Sequence, residues 1–225
     1  MLILAMESSA KPASVAIFDD GKLLGQYFQN SGLTHSRTLL SMAESLLDNL
    51  ALKPSDVGLV AVAKGPGSFT GVRIGVSAAK GFAWGLDIPV CGVSALEAMA
   101  YQTPEPDTLL CPVMDARRDQ VYNALFEWKD GSPLRLCDDR AISLERLANE
   151  LKAAGKSCLL VGDGADISYK ALSSAGIRVR IAPELIRWQT AYGVALASLN
   201  TTPVTAQELE PSYLRPSQAE RMREL

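Results

Sequence analysis

Histidine is nearly absent from this sequence, and its scarcity argues against a large class of catalytic sites. The 225 residues contain a single histidine, His35, near the start of a predicted helix. A Ser-His-Asp triad needs an imidazole base within reach of its nucleophile. The sequence therefore disfavours a hydrolase of that type.

Cysteine is also sparse. The four cysteines lie far apart and form no C-x-x-C pair: Cys91, Cys111, Cys137 and Cys158. Their neighbours are mostly aliphatic, which is typical of buried, reduced thiols rather than of a disulfide framework or a zinc site. We therefore expect free thiols.

Long apolar runs and excess positive charge are missing as well. No stretch approaches the roughly 20 apolar residues that a membrane-spanning helix needs, and no basic region precedes the short apolar run at the N-terminus. We therefore expect a soluble, cytoplasmic protein. The formal net charge is -3, so contact with nucleic acid would need a local basic patch or a basic partner.

The sequence contains instead a series of short strands and helices around a glycine-rich loop. Hydrophobic patterning and turn residues predict strands at 2–6, 13–18, 22–28, 57–63 and 90–93, and helices at 34–52 and 71–86. The glycine-rich loop, Gly65-Pro66-Gly67, lies between the fourth of these strands and the second helix.

The same order of elements returns in the second half of the chain. Strands are predicted at 109–114, 120–128, 134–137 and 157–161, a helix at 143–154, and a second glycine loop at 162–164. Such a repeat predicts two related α/β lobes. A linker at Gln102–Thr108 divides them into an N-terminal lobe at 1–103 and a smaller C-terminal lobe with a tail at 104–225. We expect residues 219–225 to lie along the surface or to fray.

The glycine-rich loop matches no standard phosphate-binding or catalytic motif. No Lys-Ser/Thr pair follows it, Gly71 comes one position late for a dinucleotide turn, and Ser68 lacks the flanking glycines of a nucleophile elbow. Two hypotheses remain. The amides at the start of the helix bind an anion, or Gly71, Gly75 and Ala79 form a stripe of small residues that lets another helix approach closely.

Three segments resemble the TsaB (YeaZ) family of bacterial tRNA threonylcarbamoyladenosine biosynthesis proteins. They are GPGSFTGVRIG at 65–75, LAMES at 4–8 and DARRDQVY at 115–122. The resemblance implies an α/β fold of the sugar-kinase/Hsp70/actin (ASKHA) type, with two related lobes of mixed sheets flanked by helices. It also implies a non-catalytic scaffold subunit that works with the catalytic paralogue TsaD and the ATPase TsaE. Together they would transfer the threonylcarbamoyl group from threonylcarbamoyl-AMP to the adenosine beside the anticodon of tRNAs that read A-starting codons.

The resemblance also bears on metal binding. In TsaD the motif V-N-H-x-E-x-H supplies two histidines on one helical face, and the equivalent run here has Ala95 and Met99 at those positions. Neither side chain offers an imidazole lone pair. The resemblance therefore implies an accessory subunit with no catalytic residues, no metal and no cofactor of its own. ATP or ADP would bind only weakly or at the interface with the partner.

The same family resemblance implies a docking surface on the two N-terminal helices. It would serve a heterodimer with TsaD in the working complex and a homodimer of the isolated chain, with tRNA reached through the complex. The expected contact residues are His35, Leu39, Met42, Ala43, Leu46, Gly71, Arg73, Gly75 and Ala79. The expected nucleotide or anion loop consists of Glu7, Gly65, Gly67 and Ser68.

Two alternative functions stay open. A small-molecule kinase of the same fold would use Glu7 and Asp115 for magnesium and both glycine loops for the phosphates of ATP. A glycoprotease-like peptidase is disfavoured by the missing histidine pair. The charged turn at 115–119, with Arg117 and Arg118 at its centre, is either a solvated hairpin with local ion pairs or a contact with tRNA or a partner.

Overall fold

The computed structural model describes residues 1–215, and its first half is a β-meander followed by alternating helices and strands. The strands are β1 (Leu2–Glu7), β2 (Ala13–Asp19), β3 (Lys22–Gln29), β4 (Leu59–Gly65) and β5 (Val90–Ser94). The helices are α1 (His35–Asn49), α2 (Phe69–Leu86) and α3 (Ala95–Tyr101). Both α1 and α2 begin within two residues of their predicted starts.

The second half repeats this order with additional short strands. Its strands are β6 (Leu109–Asp115), β7 (Gln120–Asn123), β8 (Phe126–Lys129), β9 (Ser132–Arg135), β10 (Arg140–Ser143), β11 (Cys158–Val161) and β12 (Val179–Ile181). Its helices are α4 (Leu144–Ala154), α5 (Ala165–Ser174), α6 (Glu184–Arg187) and α7 (Ala191–Ser198).

The two sheets have the same strand order, which confirms the predicted fold of two related lobes. The first sheet runs β3-β2-β1-β4-β5, and the main path of the second runs β10-β7-β6-β11-β12. In each, an antiparallel meander adjoins parallel strands that are reached through helices. The division at residue 103 stays a prediction, because α7, which lies beyond it in the chain, packs against β1 and β2 of the first sheet.

Helices cover both faces of each sheet. Helices α1 and α2 cover the side of the first sheet that is turned away from the second sheet. Helices α3 and α7 lie between the two sheets, and α4 and α5 cover the far side of the second sheet. The central strand β1 is apolar on both sides: Ile3 and Ala5 point toward the middle layer, while Leu4 and Met6 point toward α1 and α2. Continuous apolar runs of this kind are typical of strands buried on both faces.

The predicted strand at 120–128 is divided into β7 and β8 although its register is continuous. Both pair antiparallel with β6, and the pairings Val113 with Asn123 and Leu110 with Phe126 belong to one register. Between them lies Pro112, which has no N–H to donate to the ladder. The Asn123 side chain donates to the Pro112 carbonyl at 3.1 Å instead. The interruption therefore arises from a proline in the neighbouring strand.

The C-terminal segment, defined here as residues 204–215, returns to the first lobe. Val204 pairs with Val90 at the edge of the first sheet, Leu209 is buried, and the Ser212 amide donates to the Lys64 carbonyl at 2.7 Å. The tail predicted at 219–225 lies outside the described residues. Within residues 1–215, no helix combines the length and the apolar composition that crossing a membrane requires.

Candidate functional site

A cleft of about 620 Å³ lies between the two lobes. The first glycine loop contributes Gly67 and Ser68, the second contributes Asp163, and the β6–β7 turn contributes Asp115 and Arg117. These residues follow the carboxyl ends of β4, β11 and β6. Ligands of open α/β sheets bind at the carboxyl ends of the strands, so the cleft is the candidate site.

The first glycine loop is held against the loop between β1 and β2. The Ser68 amide donates to the Ser9 carbonyl at 2.7 Å, and Ser68 Oγ caps α2 by accepting from the Gly71 amide at 3.4 Å. A Cβ atom at Gly67 would lie 2.3 Å from the Ser9 carbonyl oxygen, and one at Gly65 would lie 2.3 Å from the Ser212 carbonyl oxygen. Glycine is required where two backbones approach this closely. Anion binding by the loop stays a prediction.

Glu7 lies at the end of β1 and is completely buried. Its Oε1 accepts from the Ser9 amide at 2.5 Å, while Oε2 has no hydrogen-bond partner among the described residues. Burial raises the pKa of Glu7 to about 7, although hydrogen bonding with Ser9 opposes this rise. Glu7 therefore gains or loses its proton near neutral pH, because a buried carboxylate loses its hydration.

Asp163 of the second glycine loop approaches Glu7 from the other lobe. Its negative charge adds to the rise in the Glu7 pKa. Burial also raises the pKa of Asp163, against a hydrogen bond that Gln189 Nε2 donates to its Oδ1 at 2.9 Å. Asp163 lines the cleft, whereas Glu7 is fully buried and does not line it. A carboxylate in the lining repels a phosphate group that has no cation beside it.

Helix α3 carries the two positions at which the resemblance to TsaD suggests metal ligands. Ala95 and Met99 are fully buried there, in the apolar layer between the sheets. A Cβ atom at Gly162 would lie only 2.9 Å from Met99 Sδ, so the thioether is packed against the second glycine loop. Since neither residue has an imidazole, these positions do not fit the metal site. Among residues 1–215, no three His, Cys, Asp or Glu side chains form a group that could hold a metal ion.

The prediction that Gly71, Gly75 and Ala79 face a second chain is wrong. A Cβ atom would lie 2.2 Å from the Ser8 carbonyl oxygen at Gly71 and 2.4 Å from Ser8 Oγ at Gly75, and Ala79 has no exposed surface. Ser8 Oγ also donates to the Gly71 carbonyl at 2.9 Å. The stripe of small residues therefore lets α2 pack on its own lobe.

Three of the five α1 residues expected at a partner contact are also buried within the chain. They are Leu39, Ala43 and Leu46, which pack in the layer between α1, α2 and the first sheet. The expectation was wrong for them because an amphipathic helix turns its apolar stripe toward its own core. Of the other two, Met42 is partly buried, and His35 donates from Nε2 to the Ala10 carbonyl at 2.8 Å.

Sequence reasoning missed the exposed side of these two helices. We call this the outer face and define it by Leu40 of α1 and by Ile74, Ser77, Gly81 and Trp84 of α2. Leu40 is 52% exposed and Trp84 is 73% exposed, and a Cβ atom at Gly81 would meet no atom within 4 Å. The signal was present in the sequence, because Ser77 and Gly81 are also small residues four positions apart.

The C-terminal segment, which sequence reasoning also missed, forms one wall of the cleft. The Arg73 guanidinium lies 3.8 Å above the ring of Phe69, and its Nε donates to the Tyr213 hydroxyl at 2.9 Å. Arg215 then reaches the second lobe, where its Nη1 donates to the Ala116 carbonyl at 3.1 Å. Arg73 is exposed, as expected for a residue that contacts a partner chain. It also anchors the C-terminal segment to α2 through Tyr213.

Comparisons with known proteins indicate the family to which this chain belongs. The family described as "TsaD: tRNA N6-adenosine threonylcarbamoyltransferase" matches residues 29–219. The tRNA threonylcarbamoyladenosine biosynthesis protein TsaB of Bacillus subtilis (strain 168) is 37% identical over 162 residues, which are 72% of this chain and 71% of that protein. The solved structure of YeaZ from Pseudomonas aeruginosa has a TM-score of 0.77 at 26% identity, covering 95% of this chain and 99% of the other.

A more distant structure shares the fold alone. The activator of the 2-hydroxyisocaproyl-CoA dehydratase from Clostridium difficile is 12% identical with a TM-score of 0.52, covering 100% of this chain and 98% of the other. This likeness shows the two-lobed α/β fold, as the sequence predicts, and no more. The curated relative, 37% identical over 72% of this chain, shows that the chain belongs to the TsaB (YeaZ) family.

Proposed function

We propose that this chain is a non-catalytic activator subunit in the biosynthesis of threonylcarbamoyladenosine in tRNA. It would work in the cytoplasm with a TsaD-type catalytic paralogue and a TsaE-type ATPase, which together transfer the threonylcarbamoyl group from threonylcarbamoyl-AMP to tRNA. Membership of the TsaB family supports the pathway, since the curated relative is named for it.

The observation that carries the accessory role is the chemistry of α3. This chain keeps the two-lobed fold, yet Ala95 and Met99 occupy the positions of the metal-binding imidazoles and are sealed in an apolar layer. A side chain without an imidazole cannot take the place of a histidine ligand. The catalytic metal would therefore belong to the paralogue, and this chain would act by binding it.

The outer face of α1 and α2 is the docking surface in this proposal, in place of the buried stripe. Leu40 and Trp84 offer exposed apolar area, and the space beside Gly81 lets a partner helix approach closely. The same surface would join two copies of the isolated chain, so that the homodimer and the complex with TsaD exclude each other. A cofactor is not part of the proposal, and ATP would bind this chain weakly or at the partner interface.

Reconstituted transfer of the threonylcarbamoyl group to tRNA, with and without this chain, tests the function directly. We expect transfer only when this chain and TsaD are both present. Equal transfer without this chain, or transfer by this chain alone, would contradict the accessory role.

A pair of variants tests the docking surface. Gly81→Leu places a large side chain on the outer face, where its Cβ meets none of the chain's own atoms within 4 Å, and Ser173→Leu places one at an exposed position of α5. We expect the first to fold as a monomer that neither binds nor stimulates TsaD, and the second to behave as wild type. Sedimentation and circular dichroism measure association and folding. A Gly81→Leu protein that still binds TsaD would locate the contact elsewhere.

One observation favours a small-molecule kinase as a second candidate. The cleft is large enough for a nucleotide, and Asp115 lines it. Turnover of ATP by the purified chain with candidate sugars or carboxylates would support this function, and the absence of turnover would contradict it.

A further inference from the structure

The turn between β6 and β7 holds two arginines in a backbone conformation that side chains rarely adopt. Arg117, Arg118 and Asp119 have φ values of 62°, 54° and 55°, in the left-handed region that favours glycine. Asp115 Oδ1 accepts from the Arg117 amide at 2.7 Å, and the Asp119 carbonyl accepts from the Leu144 amide at 3.1 Å. These contacts hold the strained turn in place. Strain at three consecutive residues motivates a search for a function of these side chains.

The turn lies at the mouth of the cleft beside cations from two distant segments. Lys11 from the β1–β2 loop and Arg215 from the C-terminal segment line the same cleft as Arg117, and Arg118 is its exposed neighbour. We call these four residues the basic rim. Within residues 1–215, none of the ion pairs involves a residue of the rim.

Such a cluster is unexpected in a chain whose net charge is -3. Exposed cations without carboxylate partners attract phosphates, and the planar guanidinium of arginine donates two parallel hydrogen bonds to a phosphate group. The four cations outnumber the three carboxylates beside them, Asp115 and Asp119 of the same turn and Asp163 of the cleft lining. The folded chain thus creates a local patch of positive net charge that the sequence as a whole lacks. On this basis we propose that Lys11, Arg117, Arg118 and Arg215 bind the sugar–phosphate backbone of tRNA at the mouth of the cleft.

Charge distribution favours an RNA backbone over a free nucleotide. The rim reaches from Lys11 in the first lobe to Arg117 and Arg118 in the second, whereas the carboxyl group of Asp163 lies in the cleft lining. A nucleoside triphosphate seated in the cleft would meet this carboxyl group. An RNA strand crossing the mouth would contact the rim and leave the rest of the cleft empty. This inference rests on the proposed function, because that function supplies tRNA as the substrate.

The test measures tRNA binding by the complex of this chain with TsaD over a series of salt concentrations. The variant Arg117→Gly with Arg118→Gly removes both charges and also relieves the left-handed backbone, so folding is preserved. Its matched control, Arg146→Gln with Lys152→Gln, removes two exposed cations from α4. We expect the glycine variant to bind tRNA about tenfold more weakly and its salt slope to fall by about 2, since each lost phosphate contact lowers the slope by about 1. The control should match wild type.

Three results separate this inference from the proposed function. If the wild-type complex forms and modifies tRNA but the glycine variant keeps its affinity and salt slope, the basic rim does not bind RNA and the function stands. If the wild-type chain forms no active complex with TsaD, the proposed function itself fails. If the variant loses affinity for ATP and not for tRNA, the basic rim binds a free nucleotide and the inference is wrong.

Discussion

Replacing glycine by alanine should have opposite effects at two positions of helix α2. At Gly81 a Cβ atom would meet nothing within 4 Å. Alanine is favoured over glycine in a helix by about 1 kcal/mol, because glycine loses more backbone entropy on folding. We expect Gly81→Ala to raise the free energy of unfolding by about this amount, which corresponds to a melting temperature about 2–4 °C higher for a chain of this size.

At Gly71 the same substitution should destabilise the protein. The new Cβ would lie 2.2 Å from the Ser8 carbonyl oxygen and 3.3 Å from the Ser8 carbonyl carbon, so the helix and the β1–β2 loop must move apart by about 1 Å. Overpacking costs about 1–3 kcal/mol, and we take the upper end because backbone, not a side-chain tip, must move. Because alanine also gains about 1 kcal/mol in helix propensity, we expect Gly71→Ala to lower the free energy of unfolding by about 2 kcal/mol.

Urea unfolding followed by circular dichroism measures both variants against wild type. The reasoning requires the order Gly81→Ala, wild type, Gly71→Ala, from most to least stable. Because the substitution and the helix are the same, helix propensity cannot explain a difference in sign. A Gly71→Ala protein as stable as Gly81→Ala would refute the conclusion that the stripe packs on its own lobe.

Three further predictions concern other parts of the molecule. The folded-state pKa of about 7 for Glu7 exceeds its ordinary value of 4.5, so the contribution of Glu7 to the free energy of unfolding should be largest below about pH 4.5 and fall by about 3 kcal/mol as the pH rises through about 7. Glu7→Gln should remove most of that fall in urea titrations. Arg135→Ala should cost about 2 kcal/mol in the same assay, because Arg135 bridges Glu97 of α3 and Asp139 at 3.0 and 2.6 Å. Tyr213→Ala should speed hydrogen exchange in residues 204–215, measured by mass spectrometry, while lowering global stability by about 1 kcal/mol or less.

Each of these predictions has a control within the chain. Glu145→Gln removes an exposed carboxylate and should leave the pH dependence unchanged; equal pH profiles for wild type and Glu7→Gln would contradict the role of burial. Arg135→Lys keeps the charge but not the two guanidinium nitrogens that reach Asp139 and Glu97 separately, so it should recover only part of the loss. Tyr169→Ala, at a similarly exposed tyrosine of α5, should not affect the C-terminal segment. Unchanged exchange after Tyr213→Ala would show that other contacts hold it.

The arrangement of the two sheets could be predicted from sequence because its signals are local. Strands with continuous apolar residues and a helix before each glycine loop occur twice in the same order. The Asp-Gly turn also occurs twice, but its second copy joins β8 and β9, which lie off the main path of the second sheet. Helix α7 has no such signal. It is apolar around its whole circumference, from Ala191 to Ser198, and therefore lacks the periodicity that marks a helix lying on a surface.

The orientation of α2 shows why the candidate site was harder to predict. Small residues occur four positions apart on two sides of this helix, at Gly71 and Gly75 and again at Ser77 and Gly81. Periodicity identifies both stripes but does not tell which one faces the core. The answer comes from Ser8, which is distant in the sequence and packs against the first stripe. The raised pKa of Glu7 likewise depends in part on a residue distant in sequence, because the negative charge of Asp163 adds to the effect of burial.

Helix α7 also constrains the order in which the chain can fold during synthesis. The Ala191 amide donates to Ser14 Oγ at 3.1 Å, and the Tyr192 amide donates to Gln26 Oε1 at 2.9 Å, across 177 and 166 positions of sequence. Until these residues leave the ribosome, the inner face of the first sheet has no α7 to cover Ala16 and Phe18. Contacts this distant in sequence form slowly. The nascent N-terminal half would therefore present apolar surface to chaperones for most of the time that translation takes.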